Sequence, residues 1–204
     1  MNKIENTELT RSLIDRAYKC ACAHGFHERV LSVEHYLMLV LSEIGEAVEA
    51  DRKGRRAQIV MFRRESVTKQ KSENVQSHWS FCFGTFIKDA LEDELSDVCI
   101  RLYDMCGALG VEPRVEYDDM GSDFVDIFGE DTFCERMYYL SRLLCSTSGV
   151  VSDDDTDDCL PQVVGQALSF LFALANDMGI DLMQHIEWKM KYNEERPYKN
   201  GKKY

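Results

Sequence analysis

Residues Ser32 to Gly54, SVEHYLMLVLSEIGEAVEADRKG, decide the fold of this 204-residue chain. Leu37, Leu41, Ile44 and Val48 recur at the three-to-four-residue spacing of one helix face. Ser32 stands where an N-cap oxygen is wanted, and Gly54 where a helix stop is wanted. Tyr36 to Leu41 is apolar on every side, so the helix expected over about 32–52 is buried rather than merely amphipathic. Glu43 and Glu46 are set into this apolar segment. Their i, i+3 spacing puts both carboxylates on one face, roughly 5–6 Å apart at Cβ.

The device recurs at 88–104, KDALEDELSDVCIRLYD, in a helix expected over about 86–109 and closed by Gly110. Leu91, Leu95, Val98 and Leu102 face inward there, while Glu94 and Asp97 lie at the edge of the apolar face. Two such helices side by side would aim four carboxylates at one point. Buried together without a cation, the four charges would repel and one or more would hold a proton. Oxygen-only ligation suits Mg²⁺, with Mn²⁺ as the other choice. A single pair of this kind is more often a solvated helix face. Here both helices are strongly apolar, and no lysine follows four residues after Glu43, Glu46 or Glu94 to make the usual surface pair. Arg101 is expected to orient Asp97 as its i, i+4 partner. Asp104 either extends the acidic cluster or pairs with Arg101.

Outward from these segments the chain reads as all-α, with only three prolines and little period-2 alternation. Further helices are expected over about 7–24, 132–146, from Pro161 to near Gly179, and 181–195, stopping before Pro197. Residues 55–84 read as an irregular insertion, basic in its first half, with a short strand at Gln58 to Phe62. Residues 112–131 read as an acidic connector and 152–158 as an acidic loop. The 102–111 segment resembles 171–180, which places Val163 opposite Glu94 and Gln166 opposite Asp97. A first half over 1–111 that carries the acids and a degenerate copy over 132–204, within one domain, would explain this. Two amphipathic helices that both end in glycine would look alike as well.

The 45% apolar and 29% charged fractions suit a soluble globular protein. No apolar run reaches the ~18 residues of a membrane span, and the polar N-terminus is not expected to be a leader. A formal charge of −12 argues against a nucleic-acid binder. Free nucleotides stay open, because a bound cation can reverse the local field. The eight cysteines show no CxxC and no Cys/His cluster at zinc spacing, so they read as reduced thiols of a cytoplasmic protein. The densest positive charge closes the chain: Lys189, Lys191, Asn193, Arg196, Lys199, Lys202 and Lys203, interleaved with Trp188, Tyr192, Tyr198 and Tyr204. Cations at a helix end suit its dipole, and they also suit a polyanion.

At this point the residues resemble a family. Residues 35–53 and 88–104 are similar to the two signatures of the MazG-like, all-α nucleoside triphosphate pyrophosphohydrolases, and 189–204 is similar to their basic C-terminal motif. The resemblance implies a helical bundle that forms a homodimer, binds Mg²⁺ and cuts a nucleoside triphosphate between its α- and β-phosphates. It implies Glu43, Glu46, Glu94 and Asp97 as metal ligands, and Lys88, Lys189, Asn193 and Arg196 as phosphate contacts. It places the base near Phe26 or His27. The chain departs from the compact pattern in its 55–84 insertion and in the helical unit before the tail, a tandem plan similar to that of dimeric deoxyuridine triphosphatases. Hydrolysis of the anhydride needs charge neutralisation, an in-line water and a stabilised leaving group, with Glu46 as proton acceptor. The rival is a non-catalytic nucleotide-sensing or protein-interaction module on the same bundle. A di-iron carboxylate bundle would want Glu-x-x-His, and no histidine lies three residues after a glutamate.

Overall fold

A computed structural model describes residues 3–67, 77–117, 129, 131–146 and 156–198. Eight helices and no strand occur among them: α1 (Lys3–Ala23), α2 (Val33–Arg52), α3 (Ile59–Ser66), α4 (His78–Phe86), α5 (Leu91–Leu109), α6 (Phe133–Cys145), α7 (Thr156–Asp177) and α8 (Leu182–Glu194). The protein is an all-α bundle. Helix ends follow from local chemistry. Ser32 Oγ accepts the His35 N–H at the start of α2, and Asp181 accepts the Gln184 N–H at the start of α8. Thr132 and Glu135 form a reciprocal capping box on α6. Gly110 closes α5 at φ 68°, a conformation that costs a residue with a Cβ.

Three expectations are corrected. Residues 58–62 are not a strand: α3 covers Ile59–Ser66, because a β-branched and aromatic run also suits one turn of helix whose Phe62 is buried. The helix expected from 86 begins at Leu91, since Phe86 ends α4 and Asp89 takes φ 63° between the two helices. Pro161 lies inside α7 rather than opening it. In addition, Cys159–Asp177 is long and apolar enough to span a membrane, but 67% of it is buried within the fold. The stretches 118–128, 147–155 and 199–204, which carry most of the acidic connector, the acidic loop and the end of the basic tail, lie outside the described residues.

Helix α5 is the axis of the bundle. It packs against α2, α1 and α8, and its other end meets α7. Because neighbours surround it, even Glu92, Asp93, Glu94 and Asp104 are buried. One apolar core runs from Leu13 and Val40 through Leu95 and Leu102 to Leu140, Leu168 and Ile186, so both halves of the chain share it. A second core joins α3, α4 and α8. There Phe62 meets Trp188 at 4.8 Å between centroids, and Phe83 stacks on Tyr192 at 4.6 Å. The extended link after α2 is tied to the α4–α5 corner by Gln58 N–H to Phe86 O (2.8 Å) and Leu91 N–H to Arg55 O (3.1 Å). Glu92 completes the tie, accepting from Arg56 Nε at 2.7 Å and from the Ala57 N–H at 2.9 Å. The suggested repeat shares one feature of the backbone: Gly110 and Gly179 both adopt φ 68°, and the next N–H returns to the carbonyl five residues back.

Candidate functional site

The N-terminal turns of α5 lie against the middle of α2, so the two acid pairs face each other. Glu43, Glu46 and Glu94 each offer a carboxylate oxygen, and the three oxygens lie within 4.8 Å of one another. Glu43 and Glu94 are buried while Glu46 is exposed. Burial, with the nearby charges of Asp97 and Asp93, pushes Glu94 up to about 8. Burial and Asp97 also raise Glu43, partly offset by Arg101. Three clustered carboxylates, two of them disfavoured as anions, form a donor set that fits a hard divalent cation. Glu94 also belongs to a second acidic trio with Asp89 and Asp93.

The fourth acid has another partner. Lys189 Nζ lies 2.6 Å from Asp97 Oδ2 and 2.7 Å from Asp93 Oδ2, and only 3% of the lysine is exposed. Burial works against its charge, yet Asp97 and Asp93 hold the ammonium above the ordinary lysine value. Asp93 itself is pushed up to about 6 by burial, with Lys189 pulling the other way. It also accepts the Asp89 N–H at 3.0 Å, just ahead of Ala90, an N-cap residue with no side-chain oxygen. Arg101 does not pair with Asp97 as expected. Its Nε donates to Glu43 Oε1 at 3.0 Å, because α2 brings that carboxylate nearer than the helix's own i−4 neighbour.

A cavity of about 340 Å³ opens from the acids and runs between α1, α5 and α8. Lys88, Asn193, Arg196 and Phe26 all line it. Lys88 pairs with its neighbour Asp89, and Asn193 Oδ1 accepts from Arg196 Nη1 at 3.2 Å. Lys189 also lines it, but as the buried partner of two acids. His27 is not among the lining residues. It stands behind Asp104, with Nε2 2.7 Å from Asp104 Oδ1 and Nδ1 3.2 Å from Tyr36 Oη. Asp104 is therefore the partner of His27 rather than of Arg101. His24 bridges the Cys20 carbonyl (2.7 Å) and the Arg196 carbonyl (2.8 Å), fixing the segment after α8 over the end of α1.

Sequence reasoning passed over Asp93. Its position one residue before Glu94 was visible, but the lysine that makes it part of the site comes from the far end of the chain. All eight cysteines are free thiols, and Cys106 is pushed up to about 12 by burial, as befits a cysteine that packs as a small hydrophobe. No family model, curated protein or solved structure matches the chain.

Proposed function

We propose that the protein is a MazG-like enzyme that hydrolyses a nucleoside triphosphate to the monophosphate and pyrophosphate. The observation that carries this reading is the trio Glu43, Glu46 and Glu94, contributed by two helices and opening onto a cavity edged by Lys88 and Arg196. The trio would hold Mg²⁺, or Mn²⁺, which when bound neutralises phosphate charge and lowers the pKa of a water. Lys88 and Arg196 bind phosphate oxygens and favour the leaving pyrophosphate. Glu46, the exposed member of the trio, takes the proton from the water whose oxygen attacks the α-phosphorus. Arg101 orients Glu43 and offsets part of the cost of its charge. Lys189 acts through Asp97 and Asp93, holding the first turns of α5 in place, and is a positioning residue in this scheme. A cytoplasmic homodimer belongs to the same proposal.

The test is pyrophosphate release across a panel of ribo- and deoxynucleoside triphosphates with Mg²⁺. Turnover of at least one nucleotide, lost in Glu43→Gln, is expected. No turnover, or equal rates in wild type and Glu43→Gln, overturns the hydrolase reading.

One observation favours the non-catalytic alternative. Asp97 and Glu43 already have Lys189 and Arg101 as counterions, so part of the acidic charge is neutralised without any metal. A nucleotide sensor would bind its ligand in calorimetry equally well with and without Mg²⁺, whereas the enzyme binds more tightly with it.

A further inference from the structure

Beyond the acids, the cavity has a second end with different chemistry. Ala17 and Ala21 lie on one face of α1, and opposite them stand Ile100 of α5 and Met190 of α8. Small residues on one wall and aliphatic side chains on the other leave a slot suited to a flat, apolar ring. Asp104, 7% exposed, is the acidic group that lines the cavity beside them, with Arg101 one turn before it on α5. On the α5 axis it lies about 10 Å beyond Asp97 and about 15 Å beyond Glu94. A ligand that spans this distance with its phosphates at the acids brings its other end to Asp104.

The orientation of this carboxyl follows from its partners. Asp104 Oδ1 accepts from Nε2–H of His27 at 2.7 Å, and Nδ1 of the same ring lies 3.2 Å from Tyr36 Oη. Tyr18 packs on the same imidazole at 4.8 Å between centroids. His27 is thereby locked, with both nitrogens used, and it holds Asp104 in one orientation. His27 occupies Oδ1, and the acceptor capacity that it leaves unused on this cavity-lining carboxyl is open to a donor on a ligand.

Resting on the hydrolase reading above, we infer that Asp104 is a specificity-determining residue that selects a nucleobase carrying an exocyclic amino group, and rejects the deaminated base that presents a carbonyl oxygen at the same place. The amino group supplies such a donor. A carbonyl there sets lone pair against lone pair beside a buried negative charge, which costs both the hydrogen bond and the desolvation of the acid. Cytosine over uracil and adenine over hypoxanthine are the matched pairs that isolate this one substituent.

The experiment compares kcat/KM for dCTP against dUTP and for dATP against dITP, for whichever ring size turns over. Wild type is expected to favour the amino-bearing member by about 100-fold or more. In Asp104→Asn, His27 still donates to Oδ1, so the amide presents its NH₂ to the ligand. The preference then falls to parity or inverts toward the carbonyl-bearing base. Equal rates for the two members in wild type, or an unchanged ratio in a folded Asp104→Asn, overturns the inference while leaving the hydrolase reading intact. Should no triphosphate turn over, the hydrolase reading fails separately, and calorimetric binding of dCMP against dUMP and of dAMP against dIMP decides selectivity. Tighter binding of the amino-bearing member supports the inference, and equal or absent binding overturns it. Thermal unfolding establishes that Asp104→Asn is folded, and if it is not, the wild-type ratios decide alone.

Discussion

A lysine ammonium buried between two carboxylates depends on both of them. Lys189 contacts Asp93 and Asp97 with only 3% of its surface exposed. Lys189→Met would strand two acids without their counterion, and is expected to cost about 3–5 kcal/mol in urea unfolding. A lysine that served only as a phosphate contact would lose activity without that loss of stability. Glu43→Gln and Glu94→Gln are expected to weaken Mn²⁺ binding by at least about 100-fold, read in a direct metal titration. His185 sets a pH dependence. It is 2% exposed, its Nδ1 has no hydrogen-bond partner among the described residues, and burial lowers its pKa. The folded protein keeps the ring neutral, while the unfolded chain protonates it near the ordinary value of about 6.5. Its contribution is therefore present above pH 6.5 and lost as pH falls through the folded value. The melting temperature should drop between pH 7.5 and 5.5, and drop less in His185→Phe. The sequence showed at this scale which residues carry charge and how they are spaced. It does not show their partners: the i, i+4 spacing points Arg101 to Asp97, whereas its bond is to Glu43.

Two contacts decide the arrangement of the elements. Helix α1 approaches α5 closely at Gly107, where a Cβ would lie 2.5 Å from Tyr18 Cβ. Neither atom is the far end of a flexible side chain, so Gly107→Ala must separate the helices. A loss of about 1–3 kcal/mol is expected in chemical unfolding, and the cavity between α1 and α5 should widen with it. The α3–α4 pair rests on the aromatic core around Phe62, which is 1% exposed. Phe62→Ala should cost about 3–5 kcal/mol, with amide exchange rising first in α3 and α4. These two helices were the least legible elements. Each is short, and their apolar residues answer to an aromatic cluster that includes Trp188 and Tyr192 of α8, so neither segment carries a clear period of its own. By contrast α2 was legible nearly to the residue, because Ser32 and the long apolar stripe act locally.

The acids come from two helices that meet only in the folded chain, so a divalent cation bound by them should stabilise the whole molecule. Mg²⁺ at a hundred times its dissociation constant is expected to add about 2.7 kcal/mol. The rise in melting temperature should vanish in Glu94→Gln. The all-α class, the main helix stops and the spacing of the acids were determined by the sequence itself, since capping, periodicity and i, i+3 geometry act over a turn or two of helix. Only the tertiary structure decided that Asp97 belongs to Lys189, that Glu43 belongs to Arg101 and that Asp104 belongs to His27. Asp93 and Lys189 lie 96 residues apart, and His27 and Asp104 lie 77 apart. A charge chooses its partner by distance in space, and the packing of α5 among its neighbours sets that distance.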